Sequence, residues 1–308
     1  MAMGAPTAYA VERLIEPESF GRKGGNPIHR NKWTGYKHGK HTPNESLVAR
    51  MDLHVGGSRK EINHVLWSAL RQSNNASEHS INWLRQLHPE LQILIFDGDD
   101  NVRNHGGRRL LEKLERRASM DALACLTILL CLNFENGNYE QAWKFAISTF
   151  RVLLMLGHHF ESRGIADALF NIYVERIFKK IKCDEKRFYL EGYTFSQWAG
   201  VLHLMARLRA DTKGLLITWP EEVHYMCRIL WGKCGFDIKF ALDPLIGPDR
   251  DIGPPRKKTQ EEFDQAIRMK NRAENNIFPY GNERFPSPDV RCGHPPSSPL
   301  QEEPLNNA

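Results

Sequence analysis

Ala122-Leu123-Ala124-Cys125-Leu126-Thr127-Ile128-Leu129-Leu130-Cys131-Leu132 is the longest apolar run of the chain, and the class of fold follows from it. The run is apolar on nearly every side at helical spacing, so it reads as a helix buried all round. It falls well short of the length a membrane span needs. A helix without a polar face needs other helices packed around it, and the flanking sequence supplies them. Upstream, Leu110, Leu111, Leu114 and Ala118 form one stripe. Downstream, Tyr139, Trp143, Ala146, Phe150 and Leu154 form the next, with Gly157 placed to end it. Ile165, Leu169, Ile172 and Ile177 follow, then Trp198, Val201, Leu202, Met205 and Leu208. Thr218 and Glu221 make a capping box, with Pro220 in the first turn, ahead of Val223, Met226, Cys227, Leu230 and Cys234.

Working towards the N-terminus, Ser58 and Glu61 read as another capping box before Ile62, Val65, Leu66, Ala69 and Leu70. Ile81, Leu84 and Leu87 mark a short helix ending near Pro89. The apolar run 92–96 fits either a strand or a buried turn of helix, because periodicity does not separate the two over so short a span. The expected fold is mainly α: a compact multi-helix domain of about seven or eight helices over residues 58–242, with at most one minor strand. Asn136-Gly137-Asn138-Tyr139-Glu140-Gln141-Ala142 resembles the turn and second-helix opening of a tetratricopeptide unit, without a copy one repeat away, so it reads as a helix hairpin.

Proline sets the outer limits of this domain. Of 17 prolines, 11 lie at or after Pro244, and only Pro89 and Pro220 fall between Glu61 and Phe240. Residues 243–308 therefore read as a linker, one exposed helix near 259–273 with Phe263, Ala266 and Ile267 as a thin apolar edge, and an extended Pro-rich tail. Residues 1–57 read as a flexible basic arm. The composition, 41% hydrophobic and 26% charged, suits a folded chain with a sizeable core, and the net charge of +5 matters less than its distribution. Six cysteines without a CxxC, four of them inside apolar helical patterns, suit a reducing, intracellular setting. No N-terminal targeting pattern is visible, and a soluble protein with no membrane partner is expected.

Two basic clusters carry the functional reading. Residues 20–44 contain Arg22, Lys23, Arg30, Lys32, Lys37 and Lys40, no acidic residue, and the rings of Trp33 and Tyr36. Cations at that density suit phosphates, and rings among them suit unpaired bases. The second cluster is Arg103, Arg108, Arg109, Lys113, Arg116 and Arg117. On a helix, Arg109, Lys113, Arg116 and Arg117 share a face opposite Leu110, Leu111 and Leu114. A solvated face with local Glu–Arg pairs is the plainer reading of the same pattern.

The enzyme-like string is Ile93-Leu94-Ile95-Phe96-Asp97-Gly98-Asp99-Asp100. With the arginines that follow, it resembles the Phe-Asp-Gly segment of flap-endonuclease and PIN-like nucleases. That resemblance implies Mg²⁺ held by Asp97 and Asp99, with Asp52, Asp121 or Glu135 as further carboxylates. The alternating β/α pattern of those nucleases is missing here. No spacing matches a zinc module, and no phosphate-binding glycine loop, Rossmann string or nucleophile elbow occurs. The expectation is a non-enzymatic protein with no catalytic residue, metal, cofactor or small-molecule substrate. It binds nucleic acid, RNA rather than DNA and single strands rather than duplex, through the fourteen cations and rings of the two clusters. The layout of arm, helical core and tail resembles viral nucleoproteins and filamentous coat proteins, which implies a homo-oligomer formed by arm exchange. A helical protein–protein adaptor and the Mg²⁺ nuclease are the alternatives.

Overall fold

The computed structural model describes residues 7–277, except 24–25, 29–31, 38–39, 104–106, 191–194, 212–216 and 252. The chain divides into two units after Ser68. The first holds helix α1 (Ala8–Ile15), a hairpin of β1 (Gly21–Lys23) and β2 (Asn26–Ile28), then α2 (Lys32–Lys37), α3 (Glu45–His54) and α4 (Ser58–Ile62). Helix α5 (Val65–Arg71) runs across the division. The second unit continues with α6 (Ala76–Leu84), α7 (Pro89–Ile95), α8 (Arg108–Arg117), α9 (Met120–Glu135), α10 (Tyr139–Met155), α11 (Gly157–Ser162) and α12 (Ala166–Arg176). Strands β3 (Lys182–Cys183) and β4 (Lys186–Tyr189) come next, then α13 (Phe195–Asp211), α14 (Trp219–Leu230), α15 (Phe236–Leu242), β5 (Leu245–Pro248) and α16 (Lys257–Ile277). The protein is mainly α, with more helices than the seven or eight expected and several short strands in place of one.

Helix α9 is the buried helix that the apolar run announces: residues 122–131 are all buried. Ser119 caps it, accepting a hydrogen bond from the Ala122 amide (3.2 Å). Its one central polar group, the Thr127 hydroxyl, donates to the Leu123 carbonyl (2.8 Å) and meets the buried Tyr173 hydroxyl at 2.7 Å. At the other end the Glu135 carboxylate accepts from the Ala76 and Ser77 amides, both at 2.7 Å, and so caps α6. Helix α10 packs along α9, and α13 and α14 close the far side of α10. Glu221 reaches back to the Thr218 amide (2.8 Å) and hydroxyl (2.7 Å), completing the capping box that opens α14. Buried His203 on α13 lies 2.8 Å from Glu222 on α14, and Arg207 donates to the same oxygen at 3.2 Å.

Three sequence expectations change, and the choice left open between strand and helix at residues 92–96 falls to the helix. The helix expected from Ser58 is two helices, α4 ending at Ile62 and α5 opening at Val65; Gly57, in the left-handed region, precedes α4, and Ser58 turns its hydroxyl back to the Val55 carbonyl (2.7 Å) instead of capping forward. The His64 ring then accepts from the Leu66 amide (3.2 Å), at the start of α5. The run 92–96 is the end of helix α7 followed by an isolated bridge from Phe96 to Val102. Residues 1–57 do not form an open arm where they are described: Ile15, Trp33 and Leu47 pack into a small core with Ala8, Val11, Tyr36 and Met51 around it.

The remaining change concerns residues 243–277. Strand β5 pairs antiparallel with β4, and Asp249 beyond it is buried against Lys182 (2.6 Å) and Arg187 (3.5 Å). Helix α16 is packed on α15 and β5 through buried Phe263, Ala273 and Ile277. Lys270 donates to the Ala241 and Asp243 carbonyls (2.7 and 2.9 Å), satisfying the end of α15, and lies over the Trp198 ring at 4.6 Å. Burial pushes the Lys270 ammonium below its ordinary value. Gly247 is what lets α16 approach: a Cβ there would sit 2.3 Å from the Phe263 ring. Gly247→Ala is expected to cost about 1–3 kcal/mol by overpacking. Amide exchange within α16 would then quicken selectively, whereas unchanged exchange in α16 would contradict this packing.

Candidate functional site: a basic cleft in the second unit

A cleft of about 1050 Å³ opens between α8 and α10. Helix α8 turns Leu114 and Glu115 into the protein and leaves Arg108, Arg109, Leu110, Leu111 and Lys113 along one wall. Helix α10 faces it with Gln141, Lys144, Ile147, Ser148 and Arg151, spaced as one face of a helix. Arg103 from the preceding loop, Ile93 and Leu94 from α7, Trp231 after α14 and Lys239 of α15 complete the lining. Among the described residues, seven cations line the cleft against two carboxylates, Glu112 and Glu115.

Four of those cations have acidic partners. Arg108 pairs with Glu112 (2.6 Å) one turn on, Lys144 with Glu140 (2.6 Å), Arg151 with Glu115 (3.3 Å), and Lys239 with Asp243. The hydrogen bond from Arg108 holds the Glu112 carboxyl below its ordinary value. Arg103 spends its Nε on the Phe96 carbonyl (2.7 Å) and makes no ion pair among the described residues. Arg109 and Lys113 make no ion pair among the described residues, and both are exposed.

The floor is organised by Glu115, a carboxylate only 2% exposed. It accepts from Ser148 Oγ (2.6 Å), Arg151 Nη1 (3.3 Å) and Trp231 Nε1 (2.6 Å). One side chain thereby ties α8 to α10 and to the residue that ends α14. Two buried polar atoms of cleft residues have no hydrogen-bond partner, Arg151 Nε and Gln141 Oε1.

The structure thus brings together Arg103, Arg108, Arg109 and Lys113 of the second expected cluster and separates the other two. Arg116 lies over the Trp231 ring at 5.0 Å, and Arg117 pairs with Glu90 and approaches His88 (3.3 Å). Leu110 and Leu111 were expected on the face opposite the cations; they are half-buried beside Arg109 in the cleft wall. Gln141, Lys144, Ser148 and Arg151 belong to no basic cluster in sequence. The signal for them was a polar stripe along an otherwise apolar helix.

The first cluster does not present the Trp33 ring to a ligand. Trp33 is 6% exposed and donates to Glu16 Oε2 (2.9 Å), and Lys32 pairs with the same carboxylate (2.9 Å). Tyr36 is half-buried with its ring edge-on to Trp33 at 5.8 Å. Glu16 lies just outside the acid-free window, which is why that window reads as uncompensated. Lys40 is exposed. Arg30 and the side chains of Arg22, Lys23 and Lys37 lie outside the described residues.

The Asp97 carboxylate is spent on its own turn, accepting from the Asp99 and Asn101 amides (3.0 and 2.9 Å), while Asp100 pairs with Arg85 (2.7 Å). Glu135 caps α6 instead of joining them. Among the described residues, no group of three or more acidic, histidine or cysteine side chains is placed to hold a metal ion. No helix among them is long and apolar enough to cross a membrane. No family model, curated protein or solved structure matches this chain.

Glu115→Ala removes the common acceptor of three donors and leaves Arg151 half-buried without its counter-charge. It is expected to destabilise the second unit by about 3 kcal/mol in urea denaturation. A loss under about 0.5 kcal/mol, the range of ordinary surface substitutions, would show that the cleft floor does not depend on it.

Proposed function

We propose that the second unit binds single-stranded nucleic acid, RNA or DNA, along the cleft between α8 and α10. The observation that carries this reading is the uncompensated charge of Arg103, Arg109 and Lys113 on one wall of a cleft that also exposes apolar surface. A phosphate chain supplies the missing negative charge and releases its own counterions on binding. Leu110, Leu111, Ile147 and Ile93, the last 72% exposed, offer apolar contact to bases. Duplex hides its base faces, so this combination favours an unpaired strand. Binding and positioning are the activity proposed; no bond-breaking step is assigned.

The same apolar surface favours one competing reading. An acidic amphipathic helix of a partner protein would also match cations interleaved with Ile93, Leu110 and Leu111. The expected salt behaviour separates the two. Binding of a labelled oligonucleotide should weaken linearly on a log–log plot, with a slope of about −0.7 per phosphate contacted. The double variant Arg109→Ala/Lys113→Ala should flatten that slope by about 1.4 and weaken binding at every salt concentration. Absence of binding at low salt, or binding that ignores salt, would remove the nucleic-acid reading.

A further inference from the structure

The accessible cations of the cleft lie at its rim. Arg103, Arg109 and Lys113 are exposed and make no ion pair among the described residues. Leu110 and Leu111 stand half-buried beside Arg109, and Ile93 is 72% exposed. The carboxylate of Glu115 lies beneath them in the floor, so a second negative group is favoured at the rim and disfavoured deeper down. Such a surface suits a segment with a few carboxylates and apolar side chains next to them.

The chain carries a segment of that description beyond α16. The acidic residues of 278–308 are Glu283, Asp289, Glu302 and Glu303. Glu283 is followed by Arg284, and Asp289 stands two positions before Arg291. No lysine or arginine follows Arg291, so Glu302 and Glu303 have no cation near them in sequence. Leu300 and Leu305 flank this pair, and Pro304 disfavours a helical conformation at Glu303. Helix α16 also ends in a suitable place. Asn276 donates to Asp237 Oδ2 (3.2 Å), which puts the end of α16 at the first turn of α15. Lys239 of that same helix lines the cleft. Residues 278–299 connect buried Ile277 to Leu300 and span at most about 75 Å, so reach does not limit the contact.

We infer that the segment Leu300-Gln301-Glu302-Glu303-Pro304-Leu305 docks in the cleft of its own chain, with Glu302 and Glu303 on Arg109 and Lys113 and the two leucines against Leu110, Leu111 and Ile93. Exposed ion pairs are individually weak. A segment on the same chain meets the cleft at an effective concentration of about millimolar, so weak contacts suffice to hold it. An incoming strand must displace the segment, and the cleft is thereby self-limiting. The docking itself stands apart from the nucleic-acid reading above; only the competition rests on it.

The test is carbodiimide coupling, which joins a carboxylate to an amine in contact with it, on a mixture of isotope-labelled and unlabelled full chain, followed by peptide mapping. The expected adduct links Lys113 to Glu302 or Glu303 within one chain and fades in excess salt. Coupling of these two carboxylates to lysines away from the cleft, coupling only between chains, or no adduct at low salt would each overturn the docking. The competition is read from the affinity of a single-stranded oligonucleotide. Glu302→Gln/Glu303→Gln should tighten it about fivefold, the worth of two exposed ion pairs. Glu283→Gln/Asp289→Asn, the same change of charge in the same tail, should leave it within about twofold of the unaltered chain. An equal gain from both double variants would reduce the effect to net charge and overturn the competition. Failure of the oligonucleotide to bind any form, with the Lys113 adduct present, would remove the nucleic-acid reading and leave the docking standing.

Discussion

The second unit is organised around the carboxylate of Glu115. Taking a carboxylate out of water is expensive unless its lone pairs are filled, and here three donors from two further elements fill them. That requirement fixes α8 against α10 and holds the indole of Trp231 at the end of α14. The same bonds set the cleft between the helices, because α8 lies against the rest of the unit through Leu114 and Glu115. Leu110 and Leu111 remain half-buried on the open side. The floor and the rim of the cleft are thus two consequences of one buried charge.

The apolar helix α9 plays a different part. It supplies the hydrophobic contact that makes the unit a folded body, and its polar groups Thr127, Asn133 and Glu135 are satisfied internally, by Leu123 and Tyr173, by the Leu129 carbonyl and by the α6 amides. With the core complete, the helices around it are free to carry charge outward. Cations gather where carboxylates are spent elsewhere: Glu115 faces inward, Glu90 holds Arg117, and Glu112 is hydrogen-bonded to Arg108. Arg109 and Lys113 are left over. The positive character of the cleft reflects how local pairing is distributed more than the modest net charge of +5.

Much of this was legible in the sequence. The run 122–132 gives α9, the Leu110–Leu114 stripe gives α8, and Thr218 with Glu221 gives the start of α14, because each rests on local periodicity or capping. What was hidden depends on partners distant in sequence. Strands of two to four residues carry too little alternation to be recognised. Helix α16 looks exposed because its buried residues are sparse, and its packing relies on Gly247, whose missing side chain has no periodic signature. Trp33 sits amid basic residues and invites a binding role, but Glu16, seventeen positions upstream, takes its N–H. Half of the cleft was readable as the Arg108 cluster. Arg151 was not, since it is one cation in an apolar helix and acquires meaning only through Glu115 on another.

Photo-crosslinking of a single-stranded oligonucleotide to the intact chain, followed by peptide mapping, addresses the cleft most directly. Adducts concentrated on peptides of α8 and α10, and lost in excess salt, are the expected result. Adducts confined to residues 1–68, or scattered without preference for those two helices, would contradict the assignment of this cleft as the binding surface.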